Sequence, residues 1–116
     1  MDRDISLIND IYESAVRIKE KTENIDYEEF CSNLDIQDIV IRRFLIIGEA
    51  SGRLSLEFRR HHYKLPYNEM KAMRNILIHE YDYVSNQIIW DTIKDDLPTV
   101  IEKCGEILQE YFSDED

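Results

Sequence analysis

Glycine and proline are scarce in this 116-residue chain, which contains three glycines and two prolines. So few turn-forming residues argue against a β-sandwich or barrel, which needs many tight turns. No apolar run approaches the ~20 residues that span a bilayer, and the charged residues 1–4 lead into no signal-like apolar segment. Apolar residues still make up 43 % of the chain, enough for one core. We therefore expect a single domain over residues 1–116, no membrane association and a cytoplasmic location.

Cysteine is also scarce. Cys31 and Cys104 are far apart in the sequence, and neither has a second thiol nearby. Zinc sites usually draw paired ligands from positions about two to four residues apart, a spacing that is missing here. We therefore expect no zinc site, and we expect both thiols to be reduced and buried in the core. No other metal site and no cofactor are expected.

Apolar residues recur at spacings of three and four along most of the chain, which is the pattern of amphipathic helices. The predicted long helices run from about residue 4 to 21, from Asp35 to about Leu54, from about Pro66 to Glu80, and from Ser85 onwards. A short helix is expected after Asp26 through Cys31, and a short turn or helix is expected to begin at Ser55. This pattern predicts an all-α fold, an up-and-down bundle of four to five helices.

Individual residues indicate how these helices begin, break and pack. Asp26 and Ser85 are placed to cap the helices that follow them. Pro98 should break or kink the last helix, with Asp96 able to cap its second part. The small residues at 48, 50 and 52 should let another helix approach the long central helix closely.

Charge is unevenly distributed. The net charge is −11, from 14 basic and 25 acidic side chains, which by itself argues against a nucleic-acid partner. Residues 42–74, however, carry eight basic and three acidic side chains between two acidic arms. This basic island is either a solvated surface with local ion pairs or a binding surface. The candidate binding residues in it are Arg42, Arg43, Arg53, Arg59, Arg60 and Lys64.

One cluster of reactive side chains lies near the end of the third long helix. Asn75 and His79 are four residues apart and therefore share a helix face. Arg74 is offset from His79 by about 140° around the helix, but its side chain is long enough to reach that face. Tyr81 follows just past the predicted helix end.

Such a set suits phosphodiester chemistry. Arginine can clamp a phosphate and stabilise the charge of a pentavalent transition state, and histidine can move protons near neutral pH. A single histidine cannot be both base and acid in one step, but a two-fold dimer would supply a second copy. The alternative is a surface Arg74 paired with Glu69 or Glu80, and a His79 that caps its helix.

The spacing Arg74-Asn75-x3-His79-x-Tyr81 resembles the R-x4-H-x-Y motif of the HEPN superfamily, and more narrowly of the HepT-like toxin family. Further landmarks follow the family's order along nearly the whole chain. They are Arg3-Asp4, Ile11-Tyr12-Glu13, Gly48-Glu49-Ala50, Leu65-Pro66, Ile89-Trp90 and Asp96-Leu97-Pro98. Tyr67 departs from the family, in which many members have tryptophan after the proline; this should alter packing rather than chemistry.

The resemblance implies an all-α protein that forms a two-fold homodimer with the motif helices near the axis. Many members are metal-independent ribonuclease toxins, whose catalytic residues correspond to Arg74, His79 and the polar Asn75. The partner in such systems is an MntA-like nucleotidyltransferase antitoxin, which silences the toxin by transferring AMP from ATP to the tyrosine corresponding to Tyr81. The basic island would then contact either RNA or the antitoxin. The alternative is a non-catalytic HEPN module that binds a minimal nucleotidyltransferase.

Overall fold

The computed structural model describes residues 2–79 and 85–113, and this part of the chain forms seven helices. They are α1 (Arg3–Thr22), α2 (Tyr27–Ser32), α3 (Leu34–Arg53), α4 (Leu56–His61), α5 (Tyr67–His79), α6 (Asn86–Asp95) and α7 (Leu97–Ser113). The predicted all-α fold is confirmed. Five of the helices have ten or more residues, and the six-residue α2 and α4 are the two short segments that the sequence predicted.

Side chains cap several of these helices. Asp26 and Ser85 each accept a hydrogen bond from the backbone N–H three residues later, at 2.9 and 3.2 Å, as predicted. Helix α3 begins at Leu34, one residue before the predicted start at Asp35. The reason is that the Asn33 side chain accepts the backbone N–H three residues further on, at 3.0 Å. Each such cap stabilises its helix by about 1 kcal/mol.

The predicted break near Pro98 is confirmed. Helix α6 ends at Asp95 and α7 begins at Leu97, so Pro98 occupies the first turn of α7, where backbone N–H groups have no partner within the helix. The backbone carbonyl of Asp96 accepts a hydrogen bond from the backbone N–H of Val100 in the first turn of α7, at 3.3 Å. No capping bond from its carboxylate occurs in the described part of the chain, so that detail of the prediction is wrong. Burial and neighbouring carboxylates raise the pKa of Asp96.

The central helix is α3, which lies between α1 and α5. Helix α1 also packs against α7, and α7 packs against α6. The short helix α2 contacts both α3 and α6. The core between these helices consists of the apolar stripes seen in the sequence. Its fully buried members include Ile8, Ile11, Ala15, Ile18, Phe30, Val40 and Cys104. None of the described helices combines the length and the apolar content needed to cross a lipid bilayer.

The two cysteines differ in burial. Cys104 is buried in the core, as predicted, and this burial raises its pKa to about 12. Cys31 is exposed, so the prediction for it is wrong. Helix α2 turns only one side towards the core, and Phe30 occupies it. Because successive helical residues point about 100° apart, Cys31, the residue after Phe30, faces solvent.

Candidate active site

Helices α3 and α5 approach each other closely at Gly48. A Cβ atom built on Gly48 would overlap Arg74 Cβ and lie 2.8 Å from Arg74 Cγ and 3.1 Å from the Met70 carbonyl oxygen. Only glycine therefore fits here without a shift of α5. The predicted close approach is confirmed at Gly48 and wrong at Gly52, where an added Cβ would meet nothing within 4 Å.

This contact places the Arg74 side chain next to Glu49, the residue that follows Gly48. Arg74 donates from Nε and from Nη2 to Glu49 Oε1, at 3.2 and 2.6 Å. It also donates from Nη1 to Asn75 Oδ1, at 3.1 Å. All three guanidinium nitrogens are therefore engaged. The sequence had offered Glu69 or Glu80 as the alternative ion-pair partner, whereas the observed partner lies on the neighbouring helix.

The ion pair lies at the surface. The side chain of Arg74 is 32 % exposed and that of Glu49 is 49 % exposed. Hydrogen bonding to Arg74, together with its positive charge, holds the pKa of Glu49 below its usual value, and the charge of Arg53 adds to this effect. Glu49 is consequently ionised at neutral pH. The positive charge of Arg74 is therefore paired with a carboxylate but is still accessible to solvent.

His79 is the last residue of α5 and is exposed. Asn75 lies one turn before it on the same face, as predicted, so the amide links Arg74 to the face that carries His79. No hydrogen bond joins His79 to Arg74 in the described part of the chain. The candidate site thus consists of a fixed cation and amide, and of an imidazole further along the helix. Tyr81 lies outside the described residues.

The basic island does not form a single surface. Arg42 and Arg53 line a groove between α1 and α3, which the acidic residues Asp10 and Glu49 also line. Arg60 and Lys64 instead line two other hollows, and His61 and His62 take part in lining both of them. These hollows also contain acidic residues, namely Asp2, Asp4, Glu57, Glu106 and Glu110.

The two remaining members of the island are half-buried. They are Arg43 and Arg59, and Arg59 Nε is buried without a hydrogen-bond partner within residues 2–79 and 85–113. Of the six, only the arginines at 42 and 53 therefore share a groove with the partner of Arg74.

The adjacent histidines His61 and His62 pack edge to face, with ring centroids 4.8 Å apart. His62 also stacks on Phe58, with centroids 4.4 Å apart. Burial, and then the charge of His61, lowers the pKa of His62. In the part of the chain that the structure describes, no three or more His, Cys, Asp or Glu side chains converge as metal ligands.

The residue that the sequence did not single out is Glu49. The family resemblance includes Glu49 only within the Gly48-Glu49-Ala50 segment and implies no role for it. Its partner Arg74 is 25 positions away, so no helical spacing connects the two. The one available signal was the small residue before it, which indicated a close approach by another helix.

Comparison with known proteins bears on this site. The family described as "Ribonuclease HepT-like" matches residues 11–107, which includes Gly48, Glu49, Arg74, Asn75 and His79. The chain belongs to the HepT-like family. The matched range contains α5, the helix that carries the motif resembling that of the family.

Individual relatives carry ribonuclease names. The chain is 41 % identical over 99 residues to "Putative RNase MJ1380" of Methanocaldococcus jannaschii, covering 84 % of this chain and 91 % of that protein. It is 40 % identical over 93 residues to "Probable ribonuclease HepT" of Thermococcus cleftensis, covering 80 % and 84 %.

A longer relative, "Gamma-glutamylcyclotransferase and putative RNase MJ0434" of Methanocaldococcus jannaschii, is 37 % identical over 111 residues. The match covers 95 % of this chain but 50 % of that protein. No solved structure matches the chain.

Proposed function

We propose that this protein is an endoribonuclease that cleaves RNA without a metal ion, using Arg74, Asn75 and His79. The observation that carries the proposal is the fixed guanidinium: Glu49 and Asn75 hold Arg74 at an accessible position, five residues before an exposed imidazole on the same helix. Membership of the HepT-like family and the ribonuclease names of its relatives support the same reaction class.

The proposed reaction is transfer of the phosphodiester to the neighbouring ribose oxygen. His79 takes the proton from the 2′-hydroxyl, whose oxygen attacks the adjacent phosphorus while the bond to the 5′-oxygen breaks. In a two-fold homodimer the second copy of His79, in its protonated form, gives a proton to the leaving 5′-oxygen, so the products are a 2′,3′-cyclic phosphate and a 5′-hydroxyl. Arg74 stabilises the extra negative charge on the phosphorane oxygens.

A two-fold homodimer is part of the proposal, because one His79 cannot give and take a proton at the same moment. Ile78, next to it, is 46 % exposed, and Leu45 and Ile46 on α3 are only half-buried. These apolar side chains flank the pair of Arg74 and Glu49 and would be covered in a dimer that joins two sites. The expected particle has about twice the chain mass of 13.9 kDa.

Control by a nucleotidyltransferase antitoxin is also proposed, as the family resemblance implies. The Tyr81 hydroxyl would attack the α-phosphorus of ATP, form a phosphodiester to AMP and release pyrophosphate. Tyr81 follows His79 by two residues, so the added phosphate would place negative charge close to the position that an RNA phosphate must take. This combination would make the protein the toxin of a toxin–antitoxin pair; the predicted cytoplasmic location stays a prediction.

The basic residues have an unequal place in this proposal. Arg42 and Arg53 share the groove with Glu49 and are the members best placed to guide an RNA backbone towards Arg74. Arg60 and Lys64 line hollows that contain neither Arg74 nor Glu49, so we assign them to contact with a partner protein rather than to RNA at the site.

The second candidate is a HEPN module that binds its nucleotidyltransferase without cutting RNA. The net charge of −11 favours it, because long-range attraction of RNA requires positive charge.

One experiment decides between the two. Purified protein and the double variant Arg74→Ala/His79→Ala are incubated with single-stranded RNA in the presence of EDTA, and the product ends are analysed. We expect the unchanged protein to produce 2′,3′-cyclic phosphate ends and the double variant to produce none. If the unchanged protein leaves all RNA intact yet binds the nucleotidyltransferase stably, the ribonuclease proposal fails and the binding module takes its place.

A further inference from the structure

Glu49 engages one side of the Arg74 guanidinium and leaves part of it free. Its Oε1 accepts from both Nε and Nη2, while Nη1 donates to Asn75 Oδ1. Because each Nη atom carries two N–H groups, one N–H on Nη1 and one on Nη2 remain for another acceptor. The cation is therefore oriented by the protein and can still bind a phosphate oxygen.

The two residues are also held by their backbones. Because Gly48 has no side chain, α5 lies so close to α3 that the Cβ and Cγ atoms of Arg74 pack against the backbone of α3. Glu49 is the next residue on α3, so the rigid contact between the two helices fixes both ends of the ion pair. A site built on packed helices keeps its geometry better than one built on loops.

Stability is a weak reason for such a pair. Both side chains are partly exposed, and ion pairs at the surface contribute little to folding because water and salt screen them. The hydrogen bonds do restrict the rotamers of a long side chain, which otherwise samples many orientations. What Glu49 supplies is the orientation of the guanidinium.

We propose that Glu49 is a positioning residue for RNA cleavage, which aims the free N–H groups of Arg74 at a phosphate oxygen. This role rests on the ribonuclease function proposed above. Glu49 touches no reacting atom and acts only through Arg74. Misplacing a catalytic group by about 1 Å can slow a reaction by about a hundredfold, so the loss of this carboxylate should be visible in the rate.

The test compares Glu49→Ala and Glu49→Gln with the unchanged protein. Glu20→Ala is the control, because Glu20 is an exposed glutamate on the outer side of α1. We expect Glu49→Ala to lower kcat about tenfold to a hundredfold with a smaller change in KM. Glu49→Gln should recover part of the rate because its amide oxygen still accepts a hydrogen bond, and Glu20→Ala should match the unchanged protein.

A spectroscopic measurement follows Arg74 directly. In the unchanged protein, the Arg74 Nε–H proton should exchange slowly with water, because it is hydrogen-bonded to Glu49. In Glu49→Ala this protection should disappear, while the melting temperature stays close to that of Glu20→Ala. Loss of protection together with loss of kcat supports positioning.

Three results would overturn the role. A Glu49→Ala variant that is as active as the unchanged protein, or more active, would show that the carboxylate is dispensable or competes with RNA. Equal losses in Glu49→Ala and Glu49→Gln with a lowered melting temperature would show a structural role. Absence of cleavage by the unchanged protein would refute the ribonuclease proposal itself, and only in that case would Arg74→Ala also be without effect.

Discussion

Arg74 and His79 lie on the same helix, little more than one turn apart, in different surroundings. The Arg74 side chain packs against α3 and donates to two acceptors, whereas His79 ends the helix and is exposed. Packing has therefore fixed the cation before any substrate arrives. His79, the proposed proton-transfer group, is left exposed, and under the proposal RNA or a second copy of the chain completes its surroundings.

The largest expected effect comes from removing each side chain in turn. Arg74→Ala and His79→Ala should each lower kcat/KM by roughly 10²- to 10⁴-fold, because one loses charge stabilisation and the other loses proton transfer. Urea unfolding should separate them, since only Arg74→Ala breaks contacts to Glu49 and Asn75. A His79→Ala variant that is the less stable of the two would contradict the comparison.

The open end of the helix should also be the place of modification. Tyr81→Phe retains Arg74 and His79 and should cleave RNA at about the unchanged rate, but it offers no hydroxyl to ATP. Incubated with the nucleotidyltransferase and ATP, it should gain no mass and stay active, while the unchanged protein gains AMP and loses activity. AMP found on another residue in the mass spectrum would remove Tyr81 from this role.

Substitutions at two glycines of α3 test whether the close packing of α3 on α5 holds Arg74 in place. Gly48→Ala forces a methyl group into Arg74 and should lower the free energy of unfolding by about 1–3 kcal/mol, with loss of cleavage. Gly52→Ala on the same helix faces open space and should raise it by about 0.5–1 kcal/mol. Equal effects of the two substitutions in urea unfolding would show that the close approach is not specific to Gly48.

The smallest expected effect concerns pH. Because the pKa of Glu49 is lower in the folded protein than its ordinary value of 4.5, the pair adds stability above about pH 4.5, and this stability is lost as the pH falls through the folded pKa. The stability difference between the unchanged protein and Glu49→Gln should therefore shrink below that pH and in high salt. A difference that grows on acidification would mean that Glu49 is not held by Arg74.

The candidate site was only partly accessible from the sequence. Arg74, Asn75 and His79 lie within two turns of one helix, so their relative placement follows from helical geometry. Glu49 comes from another helix, and its meeting with Arg74 depends on how far the two helices are rotated and shifted. The basic island shows the same limit, since its members are close in sequence but belong to separate surfaces.

The sequence by itself determined the helices, their capped starts at Asp26 and Ser85 and the break before Pro98, because these features depend on residues within a turn or two of each other. It also contained the motif that places the chain in the HepT-like family. Only the tertiary structure decided that Cys31 faces solvent and that Glu49 holds Arg74. Those outcomes depend on which helix faces meet, and that is settled by close packing at positions such as Gly48.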